Sequence, residues 1–231
     1  MKPYYQKSGI TLYNADCRDV AKFVKCDFIL TDPPYPDYLA DEYGYFPPMF
    51  INDFSCRQLV FWSARAEFPF SWTARHVWDK RKGGAGSAYE FIYERNGQAE
   101  NWVFNYISAN NDVRASFGKD VFYGHKSQKP IQLMRRLITD FVPVGSVIFD
   151  PFSGSGSTLA AARDLGYQAV GCEVSAHWCG VTVERLAQQS LFTLPNNRLH
   201  MDAGDSPRQP SQSTLEGFTP AEQGTTPAPR Q

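Results

Sequence analysis

The stretch from Ser146 to Glu173 constrains the fold of this chain more than any other. Ser146-Val147-Ile148-Phe149-Asp150 is a short apolar run that stops at Pro151, and Phe152-Ser153-Gly154-Ser155-Gly156-Ser157-Thr158 is a glycine turn. Leu159-Ala160-Ala161-Ala162-Arg163-Asp164-Leu165 has the composition of a helix, closed by Gly166 just past its end. A second strand, Ala169-Val170-Gly171-Cys172, ends at Glu173. Strand, turn, helix and strand in that order predict an α/β protein with a mostly parallel sheet. Such sheets bind ligands at the carboxyl ends of their strands. Gly154 and Gly156 let backbone approach a ligand closely, and an acidic residue ending the next strand can accept hydrogen bonds from ribose hydroxyls. Leu159 stands where a dinucleotide-binding turn would place its third glycine, and the Lys of a phosphate-binding P-loop is missing.

The apolar run Phe28-Ile29-Leu30-Thr31 leads into Asp32-Pro33-Pro34-Tyr35. Proline lacks the N–H of a sheet ladder and biases the preceding residue away from helix, so the strand ends in a rigid loop. That loop presents a carboxylate, main-chain carbonyls and an aromatic ring. A pocket rich in acceptors with a ring to stack on suits a planar group with an exocyclic amine, such as adenine or cytosine. The plainer alternative is a proline turn with a capping Asp and a packed, hydrogen-bonded Tyr.

In this order, these segments resemble the DNA amino-methyltransferases of the N4-cytosine/N6-adenine family, in the permuted β-group arrangement with the catalytic half first. Asp32-Pro33-Pro34-Tyr35 resembles the catalytic motif. Asp150-Pro151-Phe152-Ser153-Gly154-Ser155-Gly156-Ser157 resembles the S-adenosylmethionine motif, with Ser153 and Ser157 where Ala and Thr are commoner. His125-Lys126-Ser127-Gln128-Lys129-Pro130 resembles a His-Pro-Thr-Gln-Lys-Pro segment that opens a helix beside the cofactor. Trp78-Asp79-Lys80 with Tyr89-Glu90-Phe91-Ile92-Tyr93 resembles the hairpin that ends the family's sheet.

The resemblance implies a Rossmann-like methyltransferase fold, with a mixed, mostly parallel seven-stranded sheet and helices on both faces. It implies a domain over residues 1–193, with a catalytic half at about 8–100 and a cofactor half at about 125–190. DNA-contacting insertions fall within about 36–56 and 80–125, and a polar, disordered tail covers 194–231. The implied reaction moves a methyl group from S-adenosylmethionine to the N6 of a flipped-out adenine in double-stranded DNA. The alternatives are N4-cytosine methylation and a non-catalytic DNA-binding module. By the same resemblance Asp32 and the carbonyl of Pro33 take the two amine hydrogens, while Tyr35 stacks on the base. Asp16 meets the cofactor's adenine and Glu173 its ribose. Asp150, Pro151, Phe152, Gly154 and Gly156 shape its pocket, with Lys129 nearby. Asp16 reads equally well as a helix N-cap, and Lys129 as a solvated helix start. No metal is implied. The resemblance leaves room for a homodimer and for a companion restriction endonuclease.

A net charge of −1 over 231 residues looks wrong for a DNA partner until it is divided. Residues 57–136 hold 13 Lys and Arg against 7 Asp and Glu, an excess of +6, whereas residues 1–56 carry −3 and residues 137–231 carry −4. Positive charge confined to the middle predicts the phosphate-contacting surface there, with Lys80, Arg81 and Lys82 as candidates. The five cysteines are scattered without a Cys-x-x-Cys pair, which predicts reduced thiols rather than disulfides or zinc. The amino-terminal residues carry no signal-peptide core and no apolar run is long enough to span a bilayer, so a cytoplasmic location and no membrane partner are expected.

Overall fold

Nine strands form one sheet in the computed structural model, which describes residues 1–37, 48–80, 88–98, 100–106 and 121–188. In chain order the elements are β1 (Tyr5–Lys7), β2 (Ile10–Asn14), α1 (Cys17–Ala21), β3 (Phe28–Thr31), a 3-10 helix (Met49–Asp53), β4 (Arg57–Trp62), β5 (Ala74–Asp79), β6 (Tyr89–Arg95) and β7 (Val103–Asn105). They continue with α2 (Ile131–Phe141), β8 (Val147–Asp150), α3 (Ser157–Asp164), β9 (Gln168–Glu173) and α4 (Ala176–Ala187). The spatial order is β1-β2-β9-β8-β3-β4-β6-β5-β7. The centre, from β2 to β4, is parallel throughout, and β6 runs antiparallel to both β4 and β5.

The α/β class and the mostly parallel sheet are as the sequence predicts, but the described residues form nine strands, not seven. Both sheet edges are extended. Ser8 and Gly9 take positive φ angles of 52° and 78°, the geometry of a two-residue primed hairpin turn, and this pairs β1 with β2. At the other edge β7 adds parallel to β5. The alternation of Trp102, Phe104 and Tyr106 turns Phe104 into the core and leaves Val103 exposed.

Helix α2 forms because Ile131, Met134, Leu137, Ile138 and Phe141 recur at helical spacing, and all five are buried. Its neighbour α3 buries Leu159, Ala160, Ala161 and Ala162, small enough to let the helix sit close against β9. At the far end of the sheet, buried Glu94 accepts from Arg57 Nε at 2.7 Å and lies 3.0 Å from His76 Nε2. The Trp102 amide donates to His76 Nδ1, so the ring is the neutral tautomer with Nε2–H on Glu94; burial keeps its pKa low.

All the described residues fall within one unit, Met1–Pro195. The predicted tail, residues 38–47 of the predicted loop at 36–56, and much of the insertion at 80–125 lie outside the described residues. Among the described residues no helix is long and apolar enough to cross a membrane.

Candidate active site

The chain leaves β8 toward β9 on one side and leaves β3 toward β4 on the other, so β8 and β3 flank a topological switch point. Their pairing, Phe28 with Ile148 and Ile29 with Phe149, brings Asp32 and the glycine turn to the same sheet edge. The Thr31 hydroxyl donates to Asp150 Oδ1 at 2.8 Å and ties the two loops together. Asp150 also accepts from the Phe152 amide at 3.2 Å, and burial lifts its carboxyl to about 6.

On the β3 side, Asp32 accepts from the Tyr35 hydroxyl on one oxygen and from Lys129 Nζ on the other, at 2.5 Å. Lys129 Nζ lies 3.2 Å from Glu90 Oε2, and Lys80 Nζ donates to Glu90 Oε1 at 2.6 Å. Four alternating charges thus form a chain, Asp32–Lys129–Glu90–Lys80. The Lys129 side chain is only 6% exposed, and its ammonium sits over the rings of Phe61, Trp78 and Tyr35. Burial pushes the Asp32 carboxyl up, against the pull of Lys129. Burial also opposes the charges on Lys129 and Glu90, but their partners outweigh it: Asp32 and Glu90 raise the ammonium, while Lys129 and Lys80 hold the Glu90 carboxyl down.

On the β8 side, Gly154 and Gly156 both take positive φ, at 50° and 76°. The turn closes through the Gly156 amide on the Ser153 carbonyl at 2.8 Å. A Cβ on Gly154 would stand 3.1 Å from the His125 ring, so backbone and imidazole meet there with no side chain between them. Glu173 ends β9 as predicted; its two oxygens accept from the amides of Gly154, at 3.0 Å, and Ser175, at 2.8 Å. Each oxygen keeps a further lone pair, and burial raises the carboxyl's pKa.

One cleft of about 390 Å³ joins the two sides. It is lined by Asp32, Pro33, Pro34, Tyr35, Asp150, Pro151, Phe152, Gly154, Glu173, Asp16 and Lys129 among the residues that the sequence singles out. Gly156 stands behind the turn, against Thr182. Asp16 both lines the cleft and caps α1, accepting from the Arg18 amide at 2.9 Å; the bond to the Arg18 side chain holds its carboxyl at about 2. Tyr35 is buried, with its ring 5.5 Å from Trp62, so the packed, hydrogen-bonded arrangement is the one present. Lys129 turns its ammonium to Asp32 rather than to solvent. Of the run Lys80-Arg81-Lys82, the first is held by Glu90 and the other two lie outside the described residues.

Sequence reasoning passes over Trp178, and it quotes Glu90 and His125 only within longer segments, without a role. Glu90 carries a signal in retrospect: it is a charge between aromatic neighbours inside a strand. His125 is partly buried against Trp178, with ring centroids 4.6 Å apart, and desolvation brings its pKa to about 4. Among the described residues no group of three or more His, Cys, Asp or Glu could hold a metal ion.

A family model described as DNA methylase, for N6 and N4 enzymes, matches residues 71–184. These residues are just under half of the chain, and the match supports membership of the N6/N4 DNA methylase family. Within that family its sequence is similar to the type II methyltransferase M.HindIII of Haemophilus influenzae, 39% identical over 62 residues, and to the putative methylase YubD of Escherichia coli, 35% identical over 63 residues. Each match spans 27% of this chain, and they span 20% and 28% of those relatives. Two solved structures share the fold. The M1.HpyAVI–SAM complex aligns at TM-score 0.53 and 20% identity, over 76% of this chain and 99% of that one. PvuII DNA methyltransferase, cytosine-N4-specific, aligns at TM-score 0.56 and 15% identity, over 86% of this chain and 91% of that one. Asp32 comes before the glycine turn in sequence and lies at the same sheet edge in space.

Proposed function

We propose that this chain methylates the N6 amine of adenine in double-stranded DNA, with S-adenosylmethionine as donor. The observation that carries this reading is the cleft that Asp32, a carboxylate able to accept from an amine, shares with a glycine turn braced by Glu173. The cleft fits the donor. Gly154 leaves room for close backbone approach, Glu173 keeps lone pairs for ribose hydroxyls, and the carboxylates of Asp16, Asp150 and Glu173 favour a cation. When bound, S-adenosylmethionine supplies an electrophilic methyl on a sulfonium sulfur.

The nucleobase amine is a poor nucleophile while its lone pair is delocalised into the ring. Asp32 and the Pro33 carbonyl each accept one amine hydrogen, which favours a pyramidal nitrogen and stabilises the positive charge that develops there. Holding the amine in line with the methyl adds an orientation effect. A base inside a duplex cannot reach Asp32, so it must leave the stack, at a cost of a few kcal/mol. Tyr35, which lines the cleft, offers the ring for it to stack on, with Trp62 packed behind. Asp at position 32 favours adenine over cytosine.

Nucleoside analysis of DNA incubated with the protein and labelled S-adenosylmethionine tests this. N6-methyladenine is the expected product. N4-methylcytosine alone would move the specificity, and unlabelled DNA would overturn the reading. Glu173→Ala is expected to weaken S-adenosylmethionine binding roughly tenfold or more, because it removes a ribose acceptor and frees the Gly154 amide that shapes the turn. Calorimetry showing unchanged affinity would remove Glu173 from the donor site.

A further inference from the structure

We propose that Lys129, anchored by Glu90, is the positioning residue that keeps Asp32 ionised and aimed at the target amine, an inference that rests on the reading above. A carboxylate in a closed, aromatic-walled site tends to take up a proton, and a protonated Asp32 offers a poorer acceptor. Lys129 opposes that tendency directly, at 2.5 Å from Asp32 Oδ2. Its head is buried against three rings, so it makes no solvent-facing charge for a phosphate. Its main chain is fixed from the other half of the site, since Ser157 Oγ at the start of α3 donates to the Lys129 carbonyl at 2.8 Å. Lys129 therefore joins the glycine turn to the catalytic loop.

Glu90 is the second anchor. It draws on Lys129 from β6 and is itself neutralised by Lys80, so the chain of two acids and two cations carries no net charge. Asp32 uses only one site on each oxygen for Tyr35 and Lys129, and a carboxylate offers about four, so the amine can join without displacing either. The groups that face this cluster are Tyr35 from the same loop, Glu90 from β6, Lys80 at the end of β5, Asp150 from β8, and His125, which is close to Lys129 and neutral above about pH 4.

The test is a carboxyl-carbon NMR titration of Asp32, run beside the pH dependence of kcat, in the full chain and two near-isosteric variants. Lys129→Met removes a cation and should raise the Asp32 titration, moving the acid limb of kcat to higher pH by about one to three units. Glu90→Gln removes an anion and should move both the other way. Lys129→Arg should restore most of the wild-type profile. A far-ultraviolet circular dichroism spectrum and a urea midpoint close to wild type report that the variants are folded. An Asp32 titration that is the same in all three proteins, or that moves in one direction for both variants, overturns the proposal. If the titrations move as stated but the wild-type protein transfers no methyl group, control of Asp32 by the ion chain stands and the methyltransferase reading falls.

Discussion

Asp32→Ala is expected to lower kcat by about 10²–10³-fold while leaving the affinity for S-adenosylmethionine within about twofold. The size follows from removing one preorganised partner of a charge that develops in the transition state, about 2.7–4 kcal/mol in comparable sites. The separation follows from the geometry. The brace of the glycine turn is made by Glu173 and by Asp150 with Thr31, none of which depends on the Asp32 side chain. Asp32→Asn retains the shape but not the charge, and should fall between alanine and wild type. The sign of the pH dependence is fixed by burial, which raises the Asp32 carboxyl above its ordinary range. Activity is complete above that raised value and disappears as pH falls through it. A loss of donor affinity as large as the loss of rate would contradict the assigned role, because it would place Asp32 in the cofactor's half of the cleft.

Which parts were legible in the sequence follows from how local each signal is. The run from Val147 to Glu173 is a self-contained strand, turn, helix and strand, and its apolar pattern and glycines announce it without help from the rest of the chain. Asp32 to Tyr35 is equally local, since two prolines must end a strand. The pairing of β3 with β8 is not, because it joins segments about 120 residues apart, and only the family resemblance predicts it. Strand β1 escapes a reading by hydrophobic pattern because it is three residues, two of them exposed, and depends on Ser8 adopting a left-handed turn. Lys129 escapes for a different reason. A lysine opening a helix is ordinarily solvated; here the chain of Asp32, Glu90 and Lys80 makes burial tolerable, and those partners come from three separate stretches of sequence.

Gly156→Ala is expected to destabilise the fold by about 2–5 kcal/mol and to weaken donor binding with it. Gly156 is the N-cap of α3 at φ +76°, a conformation that costs an alanine about 1–2 kcal/mol. The added Cβ would also stand 2.5 Å from Thr182 Cγ2 and 2.8 Å from its hydroxyl, and relieving such overpacking costs about 1–3 kcal/mol. Thr182 has no easy retreat: it is fully buried on α4 and its hydroxyl donates to the Gly154 carbonyl at 3.1 Å. Turning it aside releases the same loop that the clash has already moved. The two contributions separate in a double mutant. Thr182→Ala alone loses one hydrogen bond, about 1 kcal/mol. Combined with Gly156→Ala it should recover the packing part and leave the backbone part, so urea unfolding of the pair gives less than the sum of the single losses. Strict additivity would mean that the turn moves away from α4 without resistance, and that the glycine is required by its backbone angle alone.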